Sequence, residues 1–122
     1  MRDLVEARFR AIVGNLAPAL GAKVALRYVR NYPVTRNHST ETAFAAKAAG
    51  DIVGAAQIDS EAPPVMGGED FSYMLEARPG AFIFVGNGDS AGLHNPAYDF
   101  NDEIIPIGCS YWARIVETAM PA

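Results

Sequence analysis

The sequence has one cysteine, Cys109, and two histidines, His38 and His94. A single thiol excludes an internal disulfide and any zinc cage built from cysteines. Cys109 lies in a helical pattern, where a small buried apolar role is the expectation. No stretch approaches the roughly 20 uncharged apolar residues of a membrane-spanning helix. Basic clusters are missing too: 10 Lys and Arg stand against 14 Asp and Glu, a net charge of -4. That balance argues against nucleic acid or an anionic membrane as partner and leaves a small molecule or a protein. Met1 is followed by Arg2, Asp3 and an amphipathic pattern rather than an apolar signal core, so the cytoplasm is the expected compartment.

What is present is a globular composition, half apolar and one-fifth charged, over 122 residues. A chain of that length is expected to bury roughly two-thirds of its unfolded surface. Leu4, Val5, Phe9, Ile12, Val13, Leu16 and Leu20 recur at three- and four-residue steps and predict a first helix. Pro18 predicts a kink or an end, and Gly21 a close. From Lys23 to Arg30, Val24, Leu26 and Tyr28 alternate with Lys23, Ala25 and Arg27, which predicts a strand with one buried face. Residues 34–38 read as a connector, with a boundary at about residue 36.

Ser39 or Thr40 can cap a second helix, with Glu41 in its first turn, Gly54 as terminator, and Phe44, Ala45, Ala48 and Ile52 as its buried stripe. After Pro63 and Pro64 a short helix is expected through Phe71, Met74 and Leu75, stopped by Pro79 and Gly80. The apolar run Ala81 to Val85 predicts a buried strand. A last helix follows Pro106 to about Met120, with Ile107, Tyr111, Ile115 and Ala119 buried and Trp112 and Val116 beside them. Helices and strands together predict an α/β class, in an α+β arrangement.

Between the last strand and helix lies a glycine-rich loop. Gly88-Asp89-Ser90-Ala91-Gly92 matches the G-x-S-x-G elbow of serine hydrolases, with Ser90 as nucleophile. The elbow must run directly into a helix, yet Asn95-Pro96 follows, and no histidine comes after Asp99 or Asp102 to complete the triad order. The glycines at 86, 88 and 92 lack dinucleotide-fingerprint spacing, and no phosphate loop or H-e-x-x-H follows. Glu69 and Asp70 at a helix start could act as an acid/base pair, although acidic residues there commonly serve the helix dipole. By residue type alone, His94 reads as a surface or hydrogen-bonding group, and His38 as exposed or part of a helix start.

Four blocks change that balance: the asparagine of YPVTRN (32–37), MGGEDF (66–71), PGAFIFVGNG (79–88) and LHNPAYDFNDE (93–103). Together they resemble the metal-dependent amidohydrolases of the hippurate hydrolase type, which include N-acyl amino acid and auxin-conjugate hydrolases. The resemblance implies a zinc-peptidase-like catalytic domain interrupted by a ferredoxin-like lid that commonly dimerises. Residues 1–36 would be the lid's last helix and strand, and 37–122 the closing part of the catalytic domain. His94 matches the family's last metal ligand, for zinc, manganese, cobalt or nickel. Asn37 matches a substrate-contacting residue at the lid edge, and Gly67 and Gly68 a loop lining the cleft. Glu69 and Asp70 would be supporting. The other ligands and the general acid/base glutamate would lie ahead of Met1, so no catalytic residue is expected in this chain, nor a metal stably bound by it alone. Cleavage of an N-acyl amino acid is expected of the intact form and inactivity of the isolated chain. A homo-oligomer, a separate amino-terminal half, or a non-enzymatic pairing role are the alternative expectations.

Overall fold

A computed structural model describes residues 1–121. Its order is α1 (Arg2–Ala19), α2 (Ser39–Val53), a short 3-10 turn (Ala55–Gln57), α3 (Phe71–Ala77) and α4 (Ile104–Ala119). The chain divides into two compact units, Met1–Asn31 and Tyr32–Ala122. Among the described residues no helix is long and apolar enough to cross a membrane.

In the first unit, α1 runs through Gly14 and ends one residue beyond Pro18. The segment after it returns along the helix. Tyr28 sets its ring 6.4 Å from that of Phe9, Arg30 pairs with Asp3 at 2.7 Å and Glu6 at 2.6 Å, and Arg2 donates to the Asn31 carbonyl. Leu26 and Tyr28 are half-buried while Lys23, Ala25 and Arg27 are exposed, but Val24, expected with the first two, is 56% exposed, so the alternation survives only at its later end. The strand predicted over 23–30 does not. Among the described residues no strand is formed, because a strand exists through a ladder with a second one and the neighbour here is a helix. The apolar stripe of α1 stays exposed, from 46% at Phe9 to 59% at Ile12.

In the second unit α2 packs on α4. Ala45 and Ala48 are the buried residues of α2, with Phe44 and Ile52 half-buried beside them, and Tyr111 is the buried residue of α4. Small side chains on one helix let the other approach with a large one. Burial pushes the Tyr111 phenol pKa up. Gly54 ends α2 at φ 87°, a backbone angle that L side chains rarely adopt, and its N–H donates to Gly50. The last helix starts two residues ahead of expectation, at Ile104, with Pro106 third in line. The first four N–H groups of a helix have no partner within it, so a proline there sacrifices none.

The core is smaller than composition suggests. Its buried apolar side chains are Ala45, Ala48, Leu75 and Tyr111, and Ser72 is fully buried. The exposed surface is 9989 Å², where a compact 13.0 kDa chain would show about 6,300 Å². The expectation of two-thirds burial is therefore corrected to roughly half of the unfolded surface, on the same scaling. Met74, Trp112 and Val116, expected in or beside buried stripes, are exposed by 61%, 64% and 51%, and Cys109 is exposed as well. The second predicted strand, 81–85, forms no ladder either.

Charged side chains tie the return segment of the first unit to α1. Hydrogen bonds from Arg10 and Arg30 hold the Glu6 carboxyl below its usual pKa, and those to Glu6 and Asp3 raise that of Arg30. A group depressed in the folded state contributes stability above its unfolded pKa and loses it as pH falls through the folded value. The return segment should therefore loosen as pH falls below the ordinary carboxylate range, seen as faster amide exchange at residues 26–31. Glu6→Gln should show that loosening already at neutral pH, with little further change in acid, whereas an unchanged acid response in the variant would assign the tie elsewhere.

Candidate functional site

Residues 37 and 38, at the mouth of α2, fasten the chain near residue 81. The Asn37 side chain makes two bonds to one residue: Nδ2 donates to the Phe82 carbonyl and the Phe82 N–H donates to Oδ1, both at 2.8 Å. His38 repeats the pattern at Gly80, its backbone N–H donating to the Gly80 carbonyl at 3.0 Å and its Nδ1 accepting the Gly80 N–H at 3.2 Å. The same Nδ1 lies 3.4 Å from the Gly80 carbonyl, so whether it accepts from the N–H or donates to the carbonyl follows the ring's tautomer. His38 is thus half-buried at the N-cap position of α2, and its carbonyl takes the N–H and hydroxyl of Thr42. An amide offers two donor hydrogens and two acceptor lone pairs. Asn37, expected on substrate, uses one of each on Phe82 and keeps one of each, on an exposed residue.

The MGGEDF block lies along Tyr32 and the start of α3. A Cβ added at Gly68 would come within 3.2 Å of the Tyr32 ring, which itself stands edge-on to Tyr73 at 5.9 Å. Only glycine permits that approach without displacement. Gly67 is exposed with open space around it. Glu69 Oε1 accepts the N–H of Phe71 at 3.1 Å, and the Glu69 carbonyl accepts both the N–H and the hydroxyl of Ser72. Asp70 occupies the N-cap position with no side-chain bond to the helix.

His94 sits at the third position of a turn closed by the Asn95 N–H on the Gly92 carbonyl, 3.2 Å. A second turn follows, closed by Tyr98 on Asn95, with the Asn95 side chain accepting the Ala97 N–H. His94 has φ 66°, the only positive φ outside glycine among the described residues. A histidine there carries about 1 kcal/mol of backbone strain. The loop that bears it is tied at its base by Asn87, whose Nδ2 donates to Ser90 Oγ and to the Asp99 carbonyl, both at 2.7 Å, while Oδ1 accepts the Asn101 N–H at 2.8 Å. Asn87 and Ser72 were not singled out from sequence. An asparagine in Gly-Asn-Gly was the available signal for the first, and none existed for the second.

Ser90 spends its hydroxyl on the Ala91 carbonyl and receives Asn87; no histidine is among its partners, and the first helix after it begins at Ile104. Among the described residues no group of three or more His, Cys, Asp and Glu is placed to hold a metal. His94 alone is one donor of the three or so that a catalytic zinc takes from protein. Two shallow hollows, of about 510 Å³ on α1 and about 400 Å³ beside the end of α2, include none of the candidate residues.

The profile of peptidase family M20/M25/M40 matches residues 3–118, and the chain belongs to that family. The family's peptidases are generally dependent on divalent metals. Among curated relatives, the hippurate hydrolase of Campylobacter jejuni is 29% identical over 114 residues, 93% of this chain and 30% of its own length. The N-acetylcysteine deacetylase of Bacillus subtilis is 27% identical, over 93% of this chain and 29% of its own. IAA-amino acid hydrolase ILR1-like 4 of Arabidopsis thaliana is 36% identical over 89 residues, 69% of this chain and 20% of its own. The chain thus spans under a third of the length of these relatives. No solved structure matches it significantly.

The strain at His94 makes a specific prediction. Glycine there relieves the strain but loosens the unfolded chain by a similar amount, so His94→Gly should leave stability within about 0.5 kcal/mol. His94→Val, β-branched and ill-suited to positive φ, should cost about 1–2 kcal/mol more. Urea denaturation of both variants checks this, and equal losses in the two would mean the turn does not constrain residue 94.

Proposed function

We propose that residues 1–122 are the closing portion of an amidohydrolase that cleaves N-acyl amino acids to a carboxylate and a free amino acid. Residues 1–36 belong to its lid and 37–122 to its metal-binding domain. His94 is a metal ligand, and the observation that carries this is its left-handed, exposed turn on a loop tied down by Asn87. A backbone outlier held in place by surrounding bonds is a feature that clusters at functional sites. Family membership and relatives that act on hippurate, N-acetylcysteine and IAA-amino acids support the substrate class.

When bound, a divalent ion supplies carbonyl polarisation and a hydroxide near neutral pH. This chain's residues hold and orient. His94 offers an imidazole nitrogen from a hydrogen-bonded turn, and Asn87 keeps that turn in register with 99–101. Gly67 and Gly68 let backbone approach a bound acyl group, and Asn37 presents its remaining N–H and lone pair. Glu69 is engaged at the start of α3 and Asp70 stands beside it, both in supporting roles. The remaining ligands and the general acid/base come from polypeptide outside these residues.

Purified chain supplied with zinc, manganese, cobalt or nickel should retain no stoichiometric metal and leave hippurate intact. Hydrolysis by the chain alone with bound metal would overturn this reading. With an amino-terminal polypeptide that carries the other ligands, hydrolysis should appear and fall by at least about a hundredfold in His94→Ala. Activity that survives the substitution would remove His94 from the metal.

A further inference from the structure

We infer that Tyr32 is a positioning residue for the loop that leads into α3, its ring holding that loop at Gly68 and Tyr73, and that Gly68 is a glycine on account of this ring. The role in catalysis rests on the reading of Gly67 and Gly68 as a loop along the substrate cleft; the contact itself does not. Pro33 follows Tyr32 and confines its backbone to extended angles, so the point from which the ring departs is preset. The ring then meets the chain on both sides of the helix start. It lies where a Cβ on Gly68 would come within 3.2 Å, and it stands edge-on to Tyr73 at 5.9 Å. Between those two points Glu69 accepts from Phe71 and Ser72, and Ser72 is fully buried.

A position requires glycine either because its backbone is left-handed or because a side chain has no room. Gly68 is not among the glycines of positive φ, which are Gly21, Gly54 and Gly88. Its backbone therefore does not call for glycine, and the room does. The atoms within 4 Å of an added Cβ are Cδ2 and Cε2 of Tyr32, with no other neighbour. The ring cannot yield without loss. Tyr73 stands against it, and a swing into solvent, toward which Tyr32 is already 45% exposed, gives up both contacts. The size of residue 68 and the place of the ring are therefore coupled, and through Glu69 the coupling reaches the first turn of α3.

A double-mutant cycle on the full chain, read by urea denaturation, tests the contact. Gly68→Ala alone should lower the folding equilibrium constant at least about fivefold. With Tyr32→Ala already present, the same substitution should leave that constant unchanged or raise it about twofold, because alanine restricts the unfolded chain. Tyr32→Phe keeps the ring, and in that background the loss should return in full. Once an amino-terminal polypeptide completes the enzyme, Tyr32→Ala should raise KM for hippurate about tenfold with kcat little changed, and Gly68→Ala should add nothing further to it. Equal losses from Gly68→Ala with and without the ring, or no loss in either, overturn the inference. A KM unmoved by Tyr32→Ala overturns it too, since the ring would then only support the fold. Absence of hydrolysis before any substitution counts against the amidohydrolase reading, and the denaturation cycle still decides whether Tyr32 sets the loop.

Discussion

The second unit depends on two side chains doing what a neighbouring strand ordinarily does. Asn37 and His38 close on Phe82 and Gly80 through four hydrogen bonds across more than forty residues of sequence, three through their side chains and one through the His38 backbone N–H. At one end they set the start of α2, whose small residues then meet α4. At the other they hold the segment that leads into Asn87 and the loop of His94. Local turn chemistry shapes that loop, but its position relative to α2 is inherited from this fastening.

The second constraint is scarcity of core. Beside the four buried apolar side chains among the described residues stand hydrogen bonds and ion pairs: the Asp3, Glu6, Arg10 and Arg30 network in the first unit, and Asn37, Ser72 and Asn87 in the second. The α4 helix illustrates the imbalance. Its Tyr111 face meets α2, while Ile105, Cys109, Trp112, Val116 and Met120, spaced along a neighbouring stripe, are exposed. A helix apolar on two faces suits a layer between two others, and in this chain one layer is present.

How much was legible follows from the range of each interaction. The four helices were readable because apolar periodicity is local, and Gly54 ended α2 as its position implied, but the cap expected of Ser39 or Thr40 falls to His38, whose side chain makes no capping bond. The two strands were readable only as alternation; whether alternation becomes a ladder depends on what lies beside it, and Arg30 found a helix. Burial failed for the same reason at Met74, Trp112 and Val116, since an apolar face records what a helix is suited to cover, not what is there. At the candidate site, Gly92 and Asn95-Pro96 announced a turn around His94, but the positive φ of the histidine did not follow from them. His38, read only as exposed or helix-starting, gained its bond to Gly80 from a partner no local rule could supply, and Asn87 did likewise with Asp99.

Fastening by side chains also changes what mutation can do to this fold. A backbone ladder is indifferent to sequence, because every residue but proline brings the same donor and acceptor. At 37 and 38 three of the four bonds are written into residue identity, so a change as small as an amide to a carboxylate at Asn37 deletes the donor to Phe82 while preserving size. The hold on the central segment is therefore heritable information in two codons rather than a generic property of polypeptide. A single substitution at Asn37 can remove its share without touching the residues of any helix.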